Sequence, residues 1–196
     1  MRLFLIRHPR PDIANGICYG RSDVAVATAE LARTAHELAA RLPADLPLLS
    51  SPLRRCAMLA ERLATSLQVA VRYDARLAEM DFGHWEMRAW QHIARAEIDA
   101  WASDLTDYQP GGGESVLQVA SRVASFLDEL SQAAPDGAIV VCHAGTIRLL
   151  LALIAVRSST SQSDQSIAVN ALKAAALAAA RTPHQIAYGE ILTLEW

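Results

Sequence analysis

Two short apolar runs constrain this chain more than any other feature, because each ends in a histidine: "LFLIRH" finishes at His8 and "AIVVCH" at His143. Four or five apolar residues in succession suit strands buried on both faces, and such strands belong to parallel sheets covered by helices. Open α/β sheets bind ligands beyond the carboxyl ends of their strands. Parallel strands bring those ends to one edge, so His8 and His143 are expected to face one cleft although they lie far apart in the chain. Arg7 stands beside His8, and Pro9 and Pro11 lack amide N–H groups and force an extended path out of the sheet.

Between these runs the pattern alternates. "ATAELARTAHELAARL" places Leu31, Ala35, Leu38 and Leu42 on one helical face, and Pro43 and Pro47 end it before the short strand "LPLLSS". "SPLRRCAMLAERLATSL" predicts a second helix with Ser51 as N-cap and Pro52 at its first position. "VAVRYD" reads as an edge strand, and Trp85 to about Trp101 as a helix rich in aromatics that either line a pocket mouth or join the core. After the turn "DYQPGGGES", Glu114 and Ser115 open an amphipathic helix carrying Val116, Val119, Val123, Phe126 and Leu130. A helix is expected from near Thr146, a surface loop over Arg157 to Ser166, a helix through "VNALKAAALAAAR" and a closing strand in "GEILTLEW". Strands alternating with helices predict one α/β domain over residues 1–196, a three-layer sandwich with a largely parallel central sheet flanked by helices.

Composition narrows the function classes. The 196 residues are 52% hydrophobic and 20% charged, as expected of a globular chain. A net charge of −3 gives no electrostatic basis for nucleic acid or an anionic membrane as partner. The start carries no long apolar signal core, and the run from Ile147 to Val156 contains Arg148 and is too short to span a bilayer. Cys18, Cys56 and Cys142 lie far apart without a CxxC, so a reducing cytoplasm is expected. Lys173 is the only lysine, which removes the GKS/GKT phosphate loop. The oligomeric state stays open, a homodimer included.

Two strand-end histidines suggest metal binding, but the chain has no HxH, HExxH or Cys–His spacing, so no metal and no cofactor are expected. Arg7 beside His8 favours an anion instead, since guanidinium binds phosphate oxygens through a planar fork. A histidine so placed is a nucleophile when it is neutral and held in the correct tautomer. Arg54 and Arg55 sit just inside a helix N-terminus, an end that already favours anions. Successive helical residues diverge by about 100°, so only one of the two can enter a given cleft. "RLAEMDFGHWEMR" supplies Glu79, Asp81 and Glu86, and a carboxylic acid wedged beside apolar residues is a candidate general acid.

Four stretches together resemble the histidine phosphatase superfamily, the phosphoglycerate mutase-like fold. "LIRHP" resembles its RHG motif, "SSPLRRCAMLAERL" its SSxLxRAxxTAxxL segment, "RLAEMDFGHWE" its LxExxxGxWEG segment and "VVCHAGTIRLLL" its VSHGGxIRxLL segment, all in the family's order. "GHWEMR" and "PGGGES" look like the versions found in the α-ribazole phosphatase branch of cobalamin biosynthesis. The resemblance implies that His8 is phosphorylated, that Arg7, Arg55 and His143 bind phosphoryl oxygens, and that Glu79 protonates the leaving oxygen and then activates water. It implies substrate-binding roles for Asn15, Gly20, Arg21, Ala144 and Glu114. Pro9 departs from the family's glycine, and Pro11 and Asn15 stand where Thr and, by offset, Asn are usual. The expected activity is a metal-independent phosphomonoester hydrolase acting on a small phosphorylated metabolite, with α-ribazole 5'-phosphate one such substrate. The alternatives are a phosphomutase on the same scaffold and a phosphate-ligand binding protein without turnover.

Overall fold

The computed structural model describes residues 1–134, 136–159, 165–183 and 185–195. Its centre is a five-stranded sheet built from β1 (Arg2–Arg7), β2 (Leu48–Ser50), β3 (Val71–Tyr73), β4 (Gly137–Cys142) and β5 (Ile191–Glu195), in the order β3-β2-β4-β1-β5. β1 to β4 run parallel, and β5 pairs antiparallel with β1 at one edge. β4 inserts between β1 and β2 and pairs with both, Arg7 opposite Cys142 and Ser50 opposite Val141. That register puts His8 and His143, the next residues of the two strands, side by side.

Period-two alternation divides the core. Leu3 and Leu5 of β1, with Ala138, Val140 and Cys142 of β4, face one layer of helices, α4 (Val116–Ala133), α5 (Ala144–Ser159) and α6 (Gln165–Arg181). Phe4, Ile6, Ile139 and Val141 face the other layer, α1 (Thr28–Ala39) and α2 (Arg54–Leu67), where Leu31, Ala35, Leu38, Leu59 and Leu63 are buried. These are the three layers and the largely parallel sheet that the alternation predicts. Ser115 caps α4 in a full capping box with Gln118, which fixes where the chain turns from the glycine segment into that helix.

Three local expectations need correction. Ser51 does not cap α2: the N-cap position is Leu53, with no side-chain cap, and Ser51 is turned toward His143. The segment from Trp85 to Trp101 is not one helix but two 3-10 turns, Gly83–Trp85 and Trp90–His92, followed by α3 (Arg95–Ser103). Its backbone is held instead by loop 16–18: Met87 and Trp90 donate to Cys18 and Gly16, Cys18 donates to Arg88, and Met87 takes a positive φ of 62°. In the polar stretch, Arg157 to Ser159 finish α5 and Gln165 and Ser166 open α6; residues 160–164 lie outside the described residues. Ser158 Oγ donates to the Ile154 carbonyl, so its hydroxyl is accommodated within the helix that it was expected to end.

Candidate active site

At the carboxyl edge of β1 and β4 opens a cavity of about 550 Å³. Its inner end is lined by Arg7, His8, Arg55, Glu79, Ala144 and Gly145. The two strands deliver Arg7 and His8, the first turn of α2 delivers Arg55, and the loop after β3 delivers Glu79 from the opposite wall.

His8 is 3% exposed. Its Nδ1 lies 2.7 Å from the carbonyl oxygen of Pro9, which can only accept, so the ring proton sits on Nδ1 and the lone pair on Nε2. The backbone carbonyl of residue 9, which any residue there would carry, thus sets the tautomer. Arg55 is fully buried, and its three hydrogen-bonding nitrogens are aimed by neighbours: Nη1 donates to the Ser22 carbonyl at 2.7 Å, Nη2 to that of Gly20, and Nε to His143 Nδ1 at 3.2 Å. Arg54, its chain neighbour, is exposed, and its backbone N–H donates to Asp23.

Because Arg55 must donate, His143 Nδ1 accepts, and Nε2–H donates to Ser51 Oγ at 2.8 Å. The ring is therefore a neutral imidazole. Burial first, then the charge of Arg55 and the proximity of His8, push its pKa well below the usual histidine range. His143 is fully buried beside His8, ring centroids 5.2 Å apart, and it stands behind Arg55 rather than on the cavity wall.

Arg7 is held from the other side. Its guanidinium lies 3.7 Å above the Tyr188 ring, Nη1 donates to the Ile186 carbonyl at 2.6 Å, and burial lowers its pKa from the ordinary value. Its Nε is buried with no hydrogen-bond partner among the described residues. Tyr188 also faces His8 and shares a 2.8 Å hydrogen bond with Tyr19, which lines the cavity too. Glu79 accepts backbone N–H bonds from Gly145 at 3.0 Å and Met80 at 3.2 Å, and a Cβ on Gly145 would overlap its carboxylate.

The substrate-binding candidates separate. Ala144 lines the cavity beside Glu79. Gly20 acts through its carbonyl on Arg55, and its own N–H donates to Glu86. Arg21 is exposed, 3.8 Å from Asp81. Asn15 is exposed and accepts from Arg10 at 3.2 Å, away from the cavity wall. Glu114 pairs with Arg122 at 2.9 Å and accepts the Asp81 N–H, so it braces the Glu79 loop from behind rather than meeting a ligand. Glu86 collects N–H groups of Gly20, Arg21, Ser22 and Phe82 and the Ser22 hydroxyl. Burial alone would raise its pKa, but those hydrogen bonds outweigh burial and hold it below the usual range. Among the described residues, no group of three or more His, Cys, Asp or Glu is placed to hold a metal ion.

Residues 3–172 match the model of the histidine phosphatase superfamily, branch 1. The chain belongs to that superfamily. It is 31% identical over 159 residues to the adenosylcobalamin/alpha-ribazole phosphatase of Escherichia coli K12, covering 78% of each chain. It is 34% identical over 176 residues to the glucosyl-3-phosphoglycerate phosphatase of Mycobacterium tuberculosis, covering 78% of this chain and 74% of that one. The crystal structure of the alpha-ribazole phosphatase from Shigella flexneri superposes with a TM-score of 0.68 at 31% identity, over 79% of this chain and 80% of the other.

Tyr188 and Gly145 were not singled out from the sequence, and Ser51 was singled out only as a helix cap. The signal for Tyr188 was its place just before β5: a strand antiparallel to β1 starts at the edge where β1 ends. Residues entering β5 must therefore arrive beside Arg7 and His8.

Proposed function

We propose that this chain is a phosphomonoester hydrolase working through a phosphohistidine at His8, with no metal required. The observation that carries the reading is the His8 imidazole, proton fixed on Nδ1, at the inner end of a cavity lined by Arg7 and Arg55 and facing Glu79. The His8 Nε2 lone pair attacks phosphorus as the bond to the substrate's alcohol oxygen breaks, and Glu79 gives its proton to that oxygen. Glu79 then takes a proton from water, whose oxygen displaces the histidine and releases phosphate. Arg7 and Arg55 stabilise charge on the equatorial oxygens throughout. His143, neutral and bonded to Arg55 Nε, orients that guanidinium.

α-Ribazole 5'-phosphate is the first substrate to try, since the chain is similar along most of its length to phosphatases named for it. The test is a rapid quench without acid after mixing with phosphorus-labelled substrate, followed by peptide mapping. Label on the peptide containing His8, with free phosphate as product, supports the reading. Label elsewhere, or isomerised substrate without phosphate release, overturns it.

A further inference from the structure

The outer part of the same cavity differs from its inner end. Phe82, Trp90, Trp101, Leu105, Val116 and Leu149 supply much of its wall. No Ser, Thr, Asn, Gln, Asp or Lys is among the described lining residues, and beyond Arg7, His8, Arg55 and Glu79 the only charged one is Arg148. The cavity's remaining polar side-chain groups are the Tyr19 and Tyr188 hydroxyls, bonded to each other, the indole N–H groups of Trp90 and Trp101, and Arg148. A polyhydroxylated ligand filling the whole cavity would outnumber these partners, with a penalty for each polar group left unpaired. An ammonium group would meet no carboxylate except Glu79.

The aromatic wall is built as a unit. Trp90 and Trp101 lie nearly parallel, 8° apart in plane, and Phe82 meets both edge-on at 5.9 Å. Trp85, fully buried beneath them, is anchored by Nε1–H donating to Glu97 at 2.7 Å. The Trp90 backbone is pinned to Gly16, and Ile17 pairs with Ala89, so the platform is tied to the loop that also holds Arg55. Edge-on packing of this kind fixes ring orientation before any ligand arrives.

We infer that the alcohol part of the substrate carries a flat aromatic ring system seated on Trp90, Trp101 and Phe82. This rests on the hydrolase reading and narrows the substrate class of that site. The phosphoryl group occupies the arginine end, and the ring occupies the outer apolar part.

The experiment compares kcat/KM for four primary alkyl phosphates: naphthylethyl, its decahydro counterpart, glycerol 1-phosphate and 3-phosphoglycerate. Their leaving groups are all primary alcohols, so differences report recognition. The naphthyl ester should exceed glycerol phosphate by about 10–100-fold from buried apolar area, and the saturated ester by about 3–10-fold from aromatic contact. In Trp90→Leu and Trp101→Leu the aromatic-over-saturated ratio should fall toward one. Equal rates, or preference for glycerol phosphate or phosphoglycerate, overturn the inference. Calorimetric titration of the wild type with naphthylethanol, which carries no phosphate, separates the two readings. Preferred binding of this alcohol over its decahydro counterpart, without hydrolysis of any ester, keeps the pocket and removes the hydrolase. Hydrolysis without ring preference in either assay does the reverse.

Discussion

Gly145 is the residue on which the position of Glu79 turns. A methyl group there would overlap the Glu79 carboxylate, the far end of a flexible side chain rather than backbone. Gly145→Ala should therefore fold normally and displace the Glu79 carboxylate. We expect an unchanged melting temperature with a fall in kcat, the two measured on the same preparation; a large loss of stability would reassign Gly145 to packing. Glu79→Gln keeps the shape and removes the proton, and should lower kcat by roughly 10²–10⁴-fold with an alkyl ester. With nitrophenyl phosphate, whose leaving group needs no proton, transient kinetics should show the phosphorylation step far less affected. An equal loss with both esters would make Glu79 a positioning residue. Arg55→Ala should cost about 2.7–4 kcal/mol of transition-state stabilisation, as for removal of an oxyanion donor, and Arg54→Ala little, because Arg54 is exposed. Arginine register was legible in the sequence because helix periodicity allows only one of the two into the cleft and the motif resemblance named Arg55. The hydrogen bonds of His143 were not, since they depend on Ser51 and Arg55 arriving from a different strand and helix.

At the scale of elements, the loop over residues 20–22 is shaped from below by one carboxylate. Glu86 gathers its N–H groups, and the carbonyls of Gly20 and Ser22 then fall on Arg55. Strand and helix patterns could locate Glu86 but not this role, because the 82–92 segment lacks regular periodicity and is organised by backbone pairing with loop 16–18. The same clamp makes stability depend on pH. Both Glu86 and His143 have folded-state pKa values below their ordinary ones of 4.5 and 6.5. For each, the unfolded chain binds its proton first as pH falls, so the stabilisation is complete above the ordinary pKa and is lost on acidification below it. Urea denaturation should show stability declining from about pH 6.5 through the His143 range and again below about pH 4.5. His143→Gln should flatten the first decline and leave the second; an unaltered first decline would place that titration on another group.

For the whole molecule, the insertion of β4 between β1 and β2 is what converts two distant histidines into one site, and the paired apolar runs made that adjacency readable. The topology also gathers cations: Arg7 and Arg55 are both buried at the strand edge, and neither forms an ion pair with a carboxylate among the described residues. Buried charge without a counter-charge is destabilising, and a ligand that supplies the counter-charge binds the folded state alone. Inorganic phosphate at 100 times its dissociation constant should then add about 2.7 kcal/mol. For a chain of this size that corresponds to a rise in melting temperature of about 5–10 °C. Chloride at matched ionic strength should not reproduce the rise, because it cannot span two guanidinium groups. On the proposed reading chelator should change neither this shift nor turnover, because the arginine pair would supply the charge stabilisation that a metal otherwise provides. The decisive arm is Arg55→Ala: it removes one of the two cations, so it should lose most of the phosphate-induced rise. A full rise in that variant would mean that phosphate binds elsewhere on the protein, and a rise abolished by chelator alone would mean that a metal ion, not the arginine pair, holds the anion.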